Sequence, residues 1–328
     1  MIEYREHLNE GEIFFMDIEY LLWLQNLRMS TNGLFDTFFE QLSFFGTRDI
    51  LLFPAFVYWC LDKRSGIFIL FSYKFSQMLN SIVKLTACVY RPWVRDPRII
   101  PAGDSIKTAG GYSFPSGHTM TFTPIYGGLI AFTKNKLVRF VCLVLIIVTA
   151  FSRNYLGVHT PQDVIAGILL GVLSLYVAHW VFSYLDRHPE KDIHVMILSA
   201  LASILTLVYI TYKSYPMDYV DGKLLVDPEK MQIDAWGDAG AFAPFILAWY
   251  IESRFVKFEP TGFNVKGVII CLIGMLPLHW IIWNLGGVAS GMFGPYWGKL
   301  ASKGFMLFFI VVLWPIVIKL LTSKKKNI

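Results

Sequence analysis

The stretch SRNYLGVHTPQDV, residues 152–164, separates two apolar segments of the chain, 136–152 and 162–184. Because an apolar helix of about 20 residues crosses a bilayer, this stretch predicts a turn at a membrane face between two antiparallel spans. The turn carries an arginine, a histidine and an aspartate, all of which are costly to place beside lipid. Charged side chains at such a position indicate a function.

The composition is that of an integral membrane protein. Of the 328 residues, 55% are hydrophobic and 16% are charged, and the mean hydropathy is +0.50, whereas soluble domains are about 45–50% apolar. We predict an all-α fold, a polytopic bundle of about nine membrane-spanning helices with an amphipathic N-terminal segment. The predicted spans are 50–62, 66–90, 116–133, 136–152, 162–184, 193–212, 236–253, 265–285 and 304–321.

The two ends of the chain differ from the helical core. Residues 12–46 mix aromatic and acidic residues at helical spacing without a long apolar run, which predicts helices lying in the membrane interface. We assign residues 1–48 to this segment, 49–213 to a core, and 214–328 to further membrane helices and a basic tail. The segment 283–299, rich in glycine and aromatic residues, is interpreted as a loop that either lines a pocket or anchors in the interface.

Basic residues are unevenly divided between the predicted membrane faces. By the positive-inside rule, the N-terminus and the opening turn lie outside the cytoplasm and the C-terminus lies inside, with a bacterial plasma membrane favoured over an internal membrane. No nucleic-acid partner is expected, because the net charge of +5 is spread among loops. The cytoplasmic face receives Lys63, Arg64, Lys134, Lys136, Arg139, Arg187, Lys191, Arg254, Lys257, Lys266 and the Lys324–Lys326 tail.

Three polar segments fall at one predicted face: KLTACVYRP (84–92), PSGH (115–118) and SRNYLGVHTPQD (152–163). The two spans between the second and third segments leave this face and return to it, because each helix rises about 27 Å at 1.5 Å per residue. Ser116 and Arg153 therefore share the face. Lys84 and Arg91, seven residues apart, lie on one side of the helix that ends there.

These residue types point to phosphate chemistry. The lysine and the two arginines are cationic donors, and guanidinium groups bind tetrahedral oxyanions with two parallel hydrogen bonds. Ser116 suits a helix N-cap and Gly117 permits close backbone approach, so the helix start adds N–H donors for an anion. His118 would stand at the pocket edge, where it could protonate a leaving oxygen.

His159 and Asp163 are placed to act as a pair. They are four residues apart, where Thr160 and Pro161 suit the N-cap and first position of a new helix. A carboxylate on one ring nitrogen fixes the tautomer and leaves the other nitrogen free for attack. A structural alternative exists, because Thr160 with Asp163 also forms a capping-box pattern. Lys74, outside the motifs, is interpreted as snorkelling to the cytoplasmic interface.

On these motifs the chain resembles the type 2 phosphatidic acid phosphatase superfamily, whose pattern is K-x6-RP, PSGH and SR-x5-H-x3-D. The resemblance covers residues 84–163 and implies a six-helix core and a phosphohistidine mechanism. It implies that His159 is the nucleophile, Asp163 its orienting partner and His118 the acid for the leaving group. The residues implied to bind the phosphoryl oxygens are Lys84, Arg91, Ser116, Gly117 and Arg153.

The sequence leaves the substrate open. The nine-span plan resembles glucose-6-phosphatases and sphingosine-phosphate phosphatases, and the bilayer position favours a lipid phosphate monoester or diphosphate as substrate, such as phosphatidate, a sphingoid-base phosphate or a polyprenyl diphosphate. The alternatives are a soluble sugar phosphate, transfer of the phosphoryl group to an alcohol, and an inactive lipid-binding scaffold or transporter. No cofactor is expected, and no metal, because no ligand spacing accompanies the site.

Overall fold

The computed structural model describes residues 13–47 and 49–323, which are mostly helical. The N-terminal residues 1–12 and the predicted basic tail at 324–328 lie outside the described residues. The helices are α1 (Ile13–Ser30), α2 (Asp36–Thr47), α3 (Leu52–Phe56), α4 (Lys63–Ala87), α5 (Pro92–Arg95), α6 (Gly117–Phe132), α7 (Lys136–Tyr155), α8 (Pro161–Arg187), α9 (Asp192–Tyr212), α10 (Pro228–Gly240), α11 (Phe242–Ile251), α12 (Val265–Trp280), α13 (Gly286–Phe308) and α14 (Trp314–Thr322).

Short irregular turns interrupt or extend several of these helices. Tight 3-10 turns occupy Asp49–Leu51, Ser105–Thr108 and Pro189–Lys191, and wider π turns occupy Val57–Leu61, Glu252–Val256, Ile281–Leu285 and Phe309–Leu313. Two-residue strands, β1 (Tyr219–Val220) and β2 (Lys223–Leu224), pair antiparallel in the connection between α9 and α10.

The core of the bundle is the packing of α4, α6, α7 and α8. Small residues allow close approach: a Cβ on Gly167 of α8 would lie 3.0 Å from the carbonyl oxygen of Ser116 at the start of α6. Polar side chains join α4 to α6, because the Ser76 hydroxyl donates to the Met120 carbonyl at 2.7 Å. This packing fixes the N-terminal ends of α6 and α8 beside the C-terminal end of α4.

Fewer helices of the described chain are long and apolar enough to span a membrane than the nine spans that the sequence predicts. Helical structure occurs at each of the nine predicted spans, yet four segments of the described chain are long and apolar enough to cross a membrane: Lys136–Tyr155, Pro161–Arg187, Pro189–Tyr212 and Val265–Thr322. A fifth is added if Asp36–Phe45 and Asp49–Leu61, which meet at 61°, form one broken span. A helical membrane bundle therefore fits the structure, and the count of nine spans is not confirmed.

Length and charge explain part of this shortfall. The 16 residues of α6 extend about 24 Å at 1.5 Å per residue, less than the roughly 30 Å hydrocarbon core of a bilayer. Helix α4 is 25 residues long but carries lysines at 63, 74 and 84. Both helices pack inside the bundle, where neighbouring helices can shield a short or polar segment from lipid.

The predicted loop at 283–299 is wrong, because this segment is helical on both sides of Gly294. Gly294 has φ 77° and ψ 169°, outside the helical region. A Cβ on Gly298 would lie 2.3 Å from Cα of Ser290, so the chain reverses at Gly294. The 58-residue segment Val265–Thr322 thus forms two packed arms, since glycine allows the close helix contacts that lipid-embedded hairpins require.

The interpretation of Lys74 as a snorkelling residue is also wrong. Its side chain is buried in the middle of α4, and Nζ donates to the backbone carbonyl of Asp238 in α10 at 3.0 Å. The Asp238 carboxylate in turn accepts from Lys303 of α13 at 2.5 Å. Lys74 therefore joins the core to the C-terminal helices instead of reaching the membrane surface.

The N-terminal helices lie against the face that carries the motifs. Arg28 donates to the carbonyl of Ile100 at 2.7 Å, and Asp17 pairs with Arg95 at 3.1 Å. Helix α2 packs on α6 and α7. The exposed side chains of these two helices and of the turn between them are rich in large apolar residues, as expected of an interfacial segment: Met16, Trp23, Leu34, Phe35, Phe38, Phe44 and Phe45.

Candidate active site

His159 lies in the turn between α7 and α8, held between a carboxylate and a guanidinium group. Its Nδ1 is 3.2 Å from Oδ2 of Asp163, and its Nε2 is 2.8 Å from Nη1 of Arg91. Arginine has no acceptor, so Nε2 accepts this bond and Nδ1 carries the ring proton toward Asp163. The lone pair of Nε2 therefore faces a cation, in the position where a phosphoryl group would arrive.

The Thr160–Asp163 capping box is present together with the histidine contact. Thr160 is the N-cap of α8 and Pro161 its first residue, as predicted. Oδ2 of Asp163 accepts from the backbone N–H of Thr160 at 2.9 Å as well as facing His159. The structural and the functional interpretations of Asp163 are therefore compatible, because the helix cap fixes the same oxygen that the imidazole contacts.

Burial keeps the imidazole neutral at physiological pH. His159 is 2% exposed, and this burial, with the nearby charge of Arg91, lowers the pKa of His159 well below its usual 6.5, although Asp163 opposes the shift. Burial also lowers the pKa of Arg91 to about 10, which leaves this guanidinium charged near pH 7. A neutral imidazole is the form that has a free lone pair.

Arg91 and Lys84 are both held by carbonyl groups of one segment, residues 110–115, which we call the 110–115 loop. Arg91 donates to the carbonyls of Gly111 at 3.1 Å and Gly110 at 3.0 Å. Lys84 Nζ donates to the backbone carbonyls of Tyr112, Ser113 and Pro115, at 2.8–3.2 Å. These three bonds account for all three ammonium protons.

The start of α6 is tied to the start of α8. The Ser116 N–H donates to the carbonyl of Asp163 at 2.9 Å. Ser116 occupies the N-cap position, but its hydroxyl makes no cap bond and accepts from Thr119 Oγ1 at 3.0 Å. Gly117 follows, and the nearest atom to the position of a Cβ there is Nδ2 of Asn80, at 3.7 Å. The helix start thus leaves room beside its backbone N–H groups, where an anion would bind.

Arg153 and His118 both contact Ser43, a residue of α2. Arg153 is fully buried, and its Nη1 contacts the Ser43 hydroxyl. Its Nε and Nη2 have no hydrogen-bond partner within the described ranges. Nε2 of His118 lies 3.1 Å from the Ser43 carbonyl oxygen, so this nitrogen carries a proton. A buried guanidinium with unmatched donors is suited to bind an anionic group.

The motif residues are therefore brought to one place, although by different partners. Arg91, Asp163, His159 and the 110–115 loop are joined by hydrogen bonds. Arg153 is linked to His118 through Ser43, and its backbone carbonyl accepts from the N–H of His159 at 3.2 Å. Among residues 13–47 and 49–323, no group of three or more His, Cys, Asp and Glu side chains has the arrangement of a metal site.

Sequence reasoning missed two residues of this site. Ser113 precedes PSGH by two positions and donates from Oγ to Oδ2 of Asp163 at 2.5 Å. Ser43 is 75 residues before His118 and 110 residues before Arg153. Neither serine stands in a charged pattern, and the contacts of Ser43 depend on how α2 folds over the bundle, so spacing along the chain gives no signal for it.

Comparison with known proteins confirms the resemblance predicted from the motifs. Residues 65–187, which run from α4 to the end of α8, match the model of the PAP2 superfamily. The bacitracin transport permease protein BcrC of Bacillus licheniformis is 32% identical over 128 residues, which are 38% of this chain and 61% of that protein. The chain therefore spans less than two thirds of this relative.

Two further relatives align over longer stretches. Lipid A 4'-phosphatase of Porphyromonas gingivalis is 29% identical over 184 residues, 51% of this chain and 76% of that protein. Glucose-6-phosphatase catalytic subunit 1 of Haplochromis nubilus is 24% identical over 251 residues, 66% of this chain and 69% of that protein. No solved structure matches. Residues 65–187 thus match the PAP2 superfamily, the family that the motifs resemble.

Proposed function

We propose that this chain, with its PAP2 domain at residues 65–187, is an integral membrane phosphatase that hydrolyses lipid phosphate monoesters or diphosphates. One observation carries the proposal: a neutral, buried His159 stands between Asp163 and Arg91, close to a fully buried Arg153 with two unmatched nitrogens. A nucleophile oriented by a carboxylate beside unmatched cationic donors is the arrangement that phosphoryl transfer requires.

In the proposed reaction His159 is the nucleophile. Its Nε2 lone pair attacks phosphorus, the P–N bond forms, and the P–O bond to the leaving alcohol or phosphate breaks. His118, protonated on both ring nitrogens when the substrate is bound, donates one ring proton to the departing oxygen and is left neutral. Asp163 stabilises the imidazolium that results, because its carboxylate already faces Nδ1 at 3.2 Å. Water then attacks phosphorus and passes a proton to neutral His118, which restores the acid. The P–N bond breaks, and inorganic phosphate and free His159 are released.

The phosphoryl oxygens are proposed to bind Arg91, Arg153 and the N–H group at Gly117. Lys84 and the Ser116 N–H are proposed to join them by exchanging the backbone carbonyls that they contact in the substrate-free arrangement. In the substrate-free arrangement Arg91 donates to Nε2 of His159. A phosphate is a stronger acceptor than an imidazole nitrogen, so its binding would draw the guanidinium away and free the lone pair. Because these cations can neutralise the transition-state charge themselves, we propose metal-independent chemistry.

We propose that the site opens on the extracytoplasmic side, with the C-terminus in the cytoplasm. The support is the excess of basic residues in the loops of the opposite face. The short loop between α6 and α7 contains Lys134 and Lys136, and Arg139 follows in the first turn of α7. These lie at the far end of α6 and α7 from Ser116 and Arg153, which supports separate faces for the basic loops and the site.

A lipid substrate is favoured by helix α2. It supplies Ser43 to the site, while Phe38, Phe44 and Phe45 on the same helix are exposed. Apolar side chains at this position would face lipid, so a lipid headgroup could approach His118 beneath α2 from the bilayer. The relative named lipid A 4'-phosphatase supports the same class. A sugar phosphate is the second candidate, because the glucose-6-phosphatase match covers 66% of this chain.

The test is phosphate release by the purified protein in the presence of EDTA. The panel pairs phosphatidate, a sphingoid-base phosphate and a polyprenyl diphosphate with glucose 6-phosphate, and His159→Ala is the control for each substrate. We expect lipid-selective release that His159→Ala abolishes. Preference for glucose 6-phosphate would replace the lipid assignment by the second candidate. Absence of release from every substrate would contradict a phosphatase function.

A further inference from the structure

Ser113 is a buried residue of the 110–115 loop whose side chain points at the catalytic pair. Its Oγ donates to Oδ2 of Asp163 at 2.5 Å and lies 3.5 Å from Nδ1 of His159. The hydroxyl has one proton to donate, and it donates this proton in a hydrogen bond to Asp163 because a carboxylate is a stronger acceptor than an imidazole nitrogen. Ser113 therefore contacts the carboxylate that orients the imidazole, without competing for the imidazole proton.

The backbone of Ser113 is fixed on both sides. Its N–H donates to the carbonyl of Val89 at 2.7 Å, and its carbonyl accepts from Nζ of Lys84 at 3.2 Å. Arg91 is bound to the carbonyls of the preceding glycines in the same loop. The backbone of the 110–115 loop thus binds Lys84 and Arg91, and the hydroxyl of Ser113 connects the same loop to Asp163.

Oδ2 of Asp163 is the point where these contacts meet. It faces three donors: the Ser113 hydroxyl, the Thr160 N–H and Nδ1 of His159. The first two belong to groups that carry no charge and do not react, and together they fix this oxygen from two directions. Without Ser113 only the helix-cap bond from Thr160 would hold this oxygen in place for His159, and the carboxylate could turn away from the ring.

We infer that Ser113 is a positioning residue for the phosphatase reaction, holding Asp163 so that His159 keeps its tautomer and its line of attack. The inference rests on the proposed function, in which His159 is the nucleophile. Ser113 acts through Asp163 and does not touch the phosphoryl group. Its contribution should therefore appear in the chemical step, kcat, and leave substrate binding nearly unchanged.

The experiment is a double-mutant cycle of Ser113→Ala and Asp163→Asn, measured on the best substrate of the wild-type protein. We expect Ser113→Ala to lower kcat about 10- to 100-fold, as for loss of a hydrogen bond to a charged group. KM should stay within about threefold of wild type. In the Asp163→Asn background the same change should lower kcat by no more than about twofold, because the group through which Ser113 acts is gone.

The matched control is Ser105→Ala, another buried serine of the segment between α4 and α6, whose hydroxyl has no hydrogen-bond partner in the described part of the chain. It should leave kcat near wild type. Ser113→Cys keeps the side-chain size with a weaker donor and replaces Ser113→Ala in the cycle if that variant does not fold.

Two results would overturn the inference: a kcat near wild type in the folded Ser113 variant, or an equal loss in both backgrounds, which would indicate a structural role independent of Asp163. Failure of the proposed function is distinguishable, because it would leave the wild-type protein itself without phosphate release from any substrate.

Discussion

Two buried groups of charged residues lie in this bundle, and their hydrogen bonding differs. In the active-site group, Arg153 has two nitrogens without a partner among the described residues. In the C-terminal group, Lys74 is bonded to the carbonyl of Asp238, and Lys303 to its carboxylate. Lys74 and Arg153 are both almost fully buried, so burial alone does not mark a functional site. We propose that, of these two groups, the one with unmatched donors binds a ligand.

The difference assigns a separate role to each group. Lys74, Asp238 and Lys303 come from α4, α10 and α13, so their contacts hold the C-terminal helices to α4. Charged residues inside a membrane protein are a functional hypothesis by default. In the C-terminal group the charged side chains are hydrogen-bonded to one another's helices, so a structural role accounts for them. In the active-site group, Arg153 keeps two donors that no described residue satisfies.

The largest effect is expected from comparing the two carboxylates. Asp163→Asn should lower kcat about 10²- to 10⁴-fold, because the amide cannot hold the His159 tautomer. Asp238→Asn is the matched control, and it should keep kcat within a few-fold of wild type while lowering the thermal unfolding temperature in detergent. Similar activity losses in the two variants would show that the two groups do not differ as described.

A smaller effect is expected from removing the two buried cations. Arg153→Met should lower kcat/KM about 100-fold by removing charge-assisted bonds to phosphate. Its stability should be unchanged or higher, because an unmatched buried charge is replaced by an apolar side chain. Lys74→Met should preserve kcat/KM and destabilise the fold by about 1–3 kcal/mol, because the Asp238 carbonyl loses its donor. Unfolding in detergent and steady-state kinetics measure both.

The outcome that would contradict this comparison is an exchange of roles. If Lys74→Met lost activity without losing stability, or if Arg153→Met lost stability with normal activity, the unmatched nitrogens of Arg153 would not mark a ligand site. Arg153→Lys is a further control, since it retains the charge but not the planar pair of donors, and it should recover only part of kcat/KM.

The smallest effect concerns pH. The reaction needs neutral His159, and burial with the charge of Arg91 holds its pKa well below 6.5. The kcat/KM values are first corrected for the fraction of substrate phosphate that is ionised at each pH. The acid limb of the corrected profile should then lie below pH 6.5. Arg91→Gln removes one cause of the lowered pKa, so the acid limb of this variant should move toward higher pH. A shift toward lower pH would contradict the assigned contact.

The sequence motifs predict the residues of the site better than they predict the shape of the protein. The motif residues from Lys84 to Asp163 stand at fixed spacings near helix ends that the structure brings together. Local rules suffice to place Thr160 and Pro161 at the start of α8. Ser43 could not be found this way, since it reaches Arg153 only after α2 folds over α7.

Three expectations about the fold depended on composition and on position along the chain, and they did not hold as stated. The count of nine spans is not confirmed, since α4 and α6 depart from the simple rule through charge or length. The Gly-rich segment before Lys299 resembles a loop in composition, yet it is helical on both sides of the break at Gly294, where two packed helical arms meet. The buried position of Lys74 could not be predicted without knowing that Asp238 of α10 accepts its hydrogen bond.

The central claim is that His159 is the nucleophile, and the most direct measurement is detection of the phosphorylated residue. Wild-type protein would be mixed with 32P-labelled substrate, quenched in base, which preserves phosphohistidine, and analysed by peptide mapping. The account predicts label on the peptide that contains His159 during turnover, and neither label nor turnover in His159→Ala. Turnover by His159→Ala, or label at another residue of the active wild-type protein, would contradict it.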